Sequence, residues 1–100
     1  MKFIINNLEW SVSFVISFDD ASGTETLGET HYKDLEILIL QNLDYQMRRR
    51  TVMHEVTHAF LFSYGLDSAD YDEEFVCRFM ESHAEQIIKT TDAILNSLRG

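Results

Sequence analysis

A segment of about twenty residues without proline or glycine, residues 45–64, constrains the fold of this chain more than any other. Asp44 precedes the segment as a candidate N-cap, and Gly65 follows it where a left-handed residue would end a helix. We therefore predict one continuous helix between these two residues. On a helical wheel six of its side chains fall on one side: Met47, Thr51, His54, Glu55, His58 and Phe62.

Two histidines and a glutamate on that side form the pattern His54-Glu55-x-x-His58. A spacing of four residues is just over one helical turn, so both imidazoles project from one face and can bind one metal ion. This pattern is typical of a zinc-binding helix in which the glutamate, here Glu55, is the general base toward metal-activated water. The alternative is an ordinary amphipathic helix whose histidines point into a core, but burying such a set without a partner would be costly.

The composition is that of one globular domain over residues 1–100. Hydrophobic residues make up 45% of the chain and aromatic residues 12%, which is enough apolar surface for one core. Cys77 is the single cysteine, which excludes an internal disulfide and suits a reducing compartment. No apolar run approaches the ~20 residues of a membrane span, and Asn6 and Asn7 interrupt the apolar N-terminus before it forms a signal-peptide core. We expect a cytoplasmic protein without a membrane partner.

The net charge of −9, from 17 acidic and 8 basic residues, counts against nucleic acid as a partner, because such a surface repels phosphate backbones. The one basic cluster is Arg48-Arg49-Arg50, in the first turns of the predicted helix, where positive charge opposes the helix dipole. Two interpretations stay open. The cluster could dock an acidic substrate segment, or its side chains could pair with some of the many carboxylates, which is the commoner arrangement.

The first forty residues have the pattern of β structure. Residues 3–5 are a short candidate strand, and residues 8–18 alternate between apolar and polar side chains with period two. Residues 19–28 are rich in turn formers and predict a loop. A second β region covers residues 29–41, within which residues 30–32 could form a separate short strand.

After a short acidic loop, a second helix is predicted from about Asp70 to Lys89, and it either continues through Leu98 or is followed by a separate helical piece. Its apolar stripe consists of Val76, Phe79, Met80, His83 and Ile87. The predicted fold class is α+β, with a small antiparallel sheet packed against the HExxH helix and this second long helix.

A catalytic zinc ion usually has three protein ligands, so a third ligand is expected after His58. Glu73 and Glu74 compete for this role near the start of the second helix. At about 100° per residue, Glu73 lies about 50° from the centre of the apolar stripe and Glu74 about 150° away. We therefore predict that His54, His58 and Glu73 bind one Zn²⁺ per chain. The alternative is that Glu73 closes a capping box with Asp70.

A developing negative charge on a carbonyl oxygen would also need a hydrogen-bond donor besides the metal. Four side chains are eligible, and their spacing does not choose among them: Tyr32, Tyr64, Tyr71 and His83. Of these, His83 lies on the predicted apolar stripe, where a histidine is more often packed in the core than catalytic.

The order of these parts resembles the small gluzincin metallopeptidases, in particular the ImmA/IrrE-type domains common in phages and mobile elements. The resemblance covers roughly residues 28–88 and rests on four features in chain order: Gly28-x-Thr30, the strand Leu35-Glu36-Ile37-Leu38-Ile39, the stretch Thr51 to Ala59, and Asp72-Glu73-Glu74 at the start of a helix. It implies a minimal zincin-like fold and a Glu ligand at the start of the helix after the motif, which corresponds to Glu73.

The resemblance also implies a zinc metallopeptidase that makes a limited cut in a cytoplasmic regulatory protein. It further implies that the strand near Ile37 to Ile39 edges the cleft, where an extended peptide substrate could pair with it. One position departs from the family, since Cys77 stands where some gluzincins have an Asp that steadies a ligand histidine. The alternative function is a catalytically weak or inactive, metal-containing binding or regulatory protein.

Overall fold

The structure, a computed structural model, describes residues 1–18, 26–66 and 71–98. Four β-strands precede two α-helices: β1 Lys2–Ile5, β2 Leu8–Val15, β3 Gly28–His31, β4 Glu36–Leu40, α1 Tyr45–Ser63 and α2 Glu73–Ser97. The predicted α+β class is confirmed. Neither of these two helices is long and apolar enough to cross a membrane.

The sheet is mixed, so the predicted antiparallel sheet is wrong. The strand order is β1-β2-β4-β3, and the two outer pairs are antiparallel. The central pair, β2 and β4, is parallel, with Val12 opposite Ile37. Strands of either direction show the same period-two alternation, so that pattern carries no information on direction. The signal that pointed to β4 was its run of apolar residues, which is typical of a strand inside a sheet.

Two adjacent residues with positive φ turn the chain between β1 and β2. These are Asn6, with φ of 47°, and Asn7, with φ of 69°. Such a two-residue turn matches the right-handed twist of a hairpin, and asparagine tolerates its left-handed conformation better than most residues. The Asn6 side-chain amide also donates a 2.9 Å hydrogen bond to the Ser63 carbonyl oxygen. The hairpin is thereby tied to the end of α1.

One face of the sheet packs against α1, and α2 packs against α1, so that the sheet and both helices contribute to one core. The largest fully buried side chains come from the sheet and from both helices: Trp10, Ile37, Ile39, Val52, Val56, Thr91 and Ile94. The Trp10 indole Nε1 donates a 2.8 Å hydrogen bond to the Ser63 hydroxyl, so the polar atom of this buried ring is satisfied.

The ends of α1 are those predicted. Asp44 is the N-cap and accepts a 2.9 Å hydrogen bond from the backbone N–H of Met47. Gly65, with φ of 71°, has the left-handed conformation that follows a helix end. The HExxH pattern therefore lies on one uninterrupted helix.

The second helix is longer than its predicted core and has no break near residue 90. Its N-cap is Asp72, whose side chain accepts a 2.8 Å hydrogen bond from the Phe75 backbone N–H. The proposed capping partner Asp70 lies outside the described residues. At the other end Thr91 sends its hydroxyl back to the Ile87 carbonyl oxygen at 2.8 Å, which keeps this polar group satisfied within the helix.

The predicted apolar stripe of α2 is partly wrong. Phe79 and Ile87 are buried, but Val76 is 48% exposed and Met80 is 45% exposed. The buried side of the helix continues through its second half instead, along Thr91, Ile94 and Leu95. The helical wheel used for the prediction covered only the first half of the helix. The orientation of α2 also depends on how its C-terminal half packs.

Candidate metal centre

Strand β3 lies beside α1 and runs in the same direction. At its start Gly28 lies against Glu55, and just past its end Tyr32 stacks on Phe62 with ring centroids 4.9 Å apart. Side chains of a strand alternate between two faces, so Gly28 and Thr30 share the side that meets the helix. The candidate site therefore has two walls, the HExxH face of α1 and the strand β3.

The two motif histidines point their ring nitrogens at one another. The Nε2 atoms of His54 and His58 lie 3.2 Å apart, and the rings meet edge to face at 73°. Two imidazole nitrogens at about 2.0–2.1 Å from one tetrahedral zinc ion would be roughly 3.3 Å apart. The same separation suits a hydrogen bond between two neutral imidazoles. The separation of the pair is thus compatible with a shared zinc ion.

Glu55 is held in place by a residue from the sheet. Its side chain is 7% exposed, and its Oε1 accepts a 2.8 Å hydrogen bond from the Thr30 hydroxyl. The same hydroxyl lies 3.3 Å from the backbone carbonyl oxygen of Glu55. The motif alone did not reveal this role of Thr30, although the Gly28-x-Thr30 pattern was a signal for it.

Gly28 allows the close approach of β3 to the helix. A Cβ atom at this position would lie 2.8 Å from Cγ2 of Thr51 and 3.0 Å from Cγ of Glu55. Real Cβ atoms essentially never come as close as the first of these contacts, so the backbone there has no room for a side chain. The glycine therefore brings the strand near enough for Thr30 to reach Glu55.

An open cleft of about 360 Å³ lies beside the N-terminal half of α1. It is lined by the residues before and within β3 and by one face of α1: Thr26, Leu27, Gly28, Met47, Arg50, Thr51, His54 and Glu55. Because Glu55 lines the cleft although it is largely buried, a molecule in the cleft can reach the carboxylate.

The structure does not bring the predicted third ligand to the two histidines. In the described ranges, no three His, Cys, Asp or Glu side chains form a group that could hold a metal ion. Glu73 and Glu74 occupy the first turn of α2, and both are exposed. The helix phase that favoured Glu73 rested on a stripe that included Val76 and Met80. The assignment of Glu73 as a ligand stays a prediction.

Tyr32 is the tyrosine that the structure relates to Glu55. Burial, and then the negative charges of Glu55 and of an ionised Tyr71, raise the pKa of Tyr32 above its ordinary value. Its hydroxyl is therefore protonated at neutral pH and able to donate. Tyr64 and His83 pack against each other instead, with ring centroids 4.4 Å apart. The choice of donor among the four candidates stays a prediction.

The three arginines of the basic cluster have different surroundings. Arg48 donates 3.1 Å hydrogen bonds to two backbone carbonyl oxygens, those of Gln41 and Leu43. Arg49 forms an ion pair with Asp92 of α2, and this partner raises the pKa of the guanidinium. Arg50 alone lines the cleft. Of the three arginines, Arg49 therefore pairs with a carboxylate, Arg48 bonds backbone carbonyl oxygens, and Arg50 lies beside the candidate site.

The strand that edges the cleft is β3, and the expectation that the strand near Ile37 to Ile39 does so is wrong. The reason is the strand order, which places β4 between β2 and β3 and pairs it on both sides. In the described sheet, β3 is paired on one side only, with β4.

No protein-family model, no curated protein and no solved structure matches this chain. The metallopeptidase family therefore stays a prediction from the sequence resemblance.

Proposed function

We propose that this chain is a zinc-dependent peptidase with a minimal zincin-like fold, which makes limited cuts in a cytoplasmic protein or peptide. His54 and His58 hold one Zn²⁺ per chain, Glu73 is the third ligand, and Glu55 is the general base. The observation that carries the proposal is the 3.2 Å separation of the two histidine Nε2 atoms on the helix that also holds the Glu55 carboxylate. This spacing is what two ligands of one zinc ion require.

A bound zinc ion supplies Lewis acidity, which activates water and polarises a carbonyl group. Glu55 takes a proton from the attacking water and delivers it to the leaving amine. The hydrogen bond from Thr30 occupies Oε1 of Glu55 and leaves Oε2 as the oxygen for this proton transfer. Thr30 is therefore a positioning residue for the base.

Tyr32 donates a hydrogen bond to the substrate oxygen on which negative charge develops. Its raised pKa keeps the proton on its hydroxyl at neutral pH. Stacking on Phe62 supports the orientation of its ring. A donor already in place stabilises developing charge without further reorganisation.

The test compares wild type and Glu55→Gln, both supplied with zinc, on a peptide library with cleavage read by mass spectrometry. Wild type should cut peptides and should stop when a chelator is added. Glu55→Gln should retain zinc but lose turnover, because its amide cannot accept the proton. Hydrolysis retained by Glu55→Gln would contradict the mechanism.

The second candidate function is a metal-containing binding or regulatory protein with weak or no turnover. It is favoured by one observation, that within the described residues the two histidines are not joined by a third ligand. A wild-type protein that binds zinc and peptides but cleaves none would support this alternative over the peptidase.

A further inference from the structure

The side of α1 that carries the two motif histidines has different chemistry at its two ends. Arg50 lies one turn before His54, and Phe62 lies one turn after His58. Both side chains are exposed, and the two histidines lie between them. A molecule laid along this face would meet a positive charge at one end and an aromatic ring at the other.

At the first end, Arg50 is an available cation. It lines the cleft, and among the residues that the structure describes it forms no ion pair. Among the described residues that line the cleft, Glu55 is the one acidic side chain, and its carboxylate is already hydrogen-bonded to Thr30. An acidic group entering this end could therefore bind a guanidinium that is not in an ion pair with any residue of 1–18, 26–66 or 71–98.

At the second end, Phe62 and Tyr32 form an exposed aromatic pair. Each side chain is 42% exposed, and the two rings stack with centroids 4.9 Å apart. The buried Trp10 ring packs against Phe62 nearly at a right angle, with ring centroids 6.1 Å apart. Such a supported, exposed pair suits an aromatic side chain of a partner, which can stack on it or meet it edge to face.

The distance between the two ends sets the length of the partner. Phe62 follows Arg50 by twelve positions, which is about 18 Å along the axis at ~1.5 Å per residue. An extended peptide covers that distance in about five residues at ~3.3 Å each. Strand β3 runs along the same path and is an edge strand of the described sheet. An extended peptide therefore fits this path.

We propose that the cleft, together with the surface of α1 that continues past His58 to Phe62, selects an extended peptide segment with an acidic side chain and an aromatic side chain about five residues apart. The acidic group binds Arg50, the aromatic ring binds Tyr32 and Phe62, and the residues between them lie over His54 and His58. The expected consequence of this specificity, a cut between the two anchor residues, rests on the proposed peptidase function. Binding of the peptide does not require turnover.

The test measures the binding of fluorescein-labelled seven-residue peptides to the zinc-supplied Glu55→Gln chain by fluorescence anisotropy. One peptide carries Glu and Phe five positions apart, a second replaces Glu by Lys, and a third replaces Phe by Gly. The Glu-to-Lys change should weaken binding about three- to fivefold, as expected for one exposed ion pair. In the background of Arg50→Glu this order should reverse, while Phe62→Ala should remove only the preference for Phe.

Arg78→Glu is the matched control, because it makes the same change of charge at an exposed position of α2 and should leave both preferences intact. Arg50→Gln, which should abolish the charge preference without reversing it, replaces Arg50→Glu if the latter does not fold. Equal binding of the three peptides, no binding of any of them, or an unchanged order in both Arg50 variants would overturn the proposal.

Cleavage by wild type is scored separately. Peptide selection without cleavage contradicts the peptidase, and cleavage without selection contradicts the specificity.

Discussion

The Thr30 hydroxyl donates a 2.8 Å hydrogen bond to Oε1 of Glu55, across 25 positions of sequence. This bond joins the edge strand β3 to the helix that carries both motif histidines. The strand is thus one wall of the cleft and also the support of Glu55, the proposed general base. A site that depends on both walls should respond to changes in the strand as well as in the motif.

Thr30→Val should lower turnover about tenfold while zinc content stays unchanged. The substitution keeps the shape of the side chain but removes the donor, so the Glu55 carboxylate loses its fixed orientation; loss of such a supporting partner typically costs 10–100-fold. Steady-state cleavage and elemental analysis of the same preparation check both parts. Thr30→Ser retains the hydroxyl and should stay near wild type. Equal activity of the Val and Ser variants would contradict a positioning role.

Gly28→Ala should reduce the free energy of unfolding by about 1–3 kcal/mol, the usual cost of overpacking. The added Cβ would lie 2.8 Å from Cγ2 of Thr51, so either the strand or the helix must move. Urea denaturation measures the loss. Thr51→Ser removes the clashing methyl group and should recover part of it in the double variant. Additive effects of the two substitutions would show that this contact is not the cause.

Ser63→Ala should destabilise the fold by about 1–3 kcal/mol, because the buried Trp10 indole N–H would lose its hydrogen-bond acceptor. Thermal and urea denaturation measure this effect, and zinc content should not change. Ser97→Ala is the control, since that hydroxyl bonds a carbonyl oxygen at the exposed end of α2 and its removal should cost little. Similar losses for both variants would count against the indole contact.

Tyr32→Phe should lower kcat about 100-fold, the loss typical of removing one donor to a developing negative charge. Phenylalanine preserves the stacking on Phe62, so folding and zinc content should remain as in wild type. Tyr64→Phe is the matched control, because the Tyr64 ring packs on His83 and not on Phe62 beside the motif. If the two variants are equally active, Tyr32 is not the donor.

Local sequence signals predicted much of this fold. Asp44 and Gly65 marked the ends of α1, because the residues that end a helix depend on a few adjacent positions. The turn between β1 and β2 at Asn6 and Asn7 was found only in the structure. The parallel pairing of β2 with β4 could not be predicted in the same way. It depends on where the chain re-enters the sheet, and the alternation of side chains carries no information on that.

The same difference between local signals and tertiary packing applies to the candidate site. His54, Glu55 and His58 come together because one helical turn brings them together. The contact of Thr30 with Glu55 and the position of Arg50 in the lining of the cleft depend on tertiary packing, which no periodic pattern of the sequence encodes. The position of Glu73 depends on how α2 is set against α1, and the wheel that favoured it included Val76 and Met80, which the structure leaves exposed.

The most direct test of the central claim is the zinc content of wild type, Glu73→Ala and Glu74→Ala, purified and then supplied with zinc. We expect about one zinc ion per chain in wild type and in Glu74→Ala, and its loss in Glu73→Ala, because a catalytic site needs three protein ligands. Retention of zinc by both variants would contradict Glu73 as the ligand. A wild-type chain that takes up no zinc would contradict the metal centre and the peptidase with it.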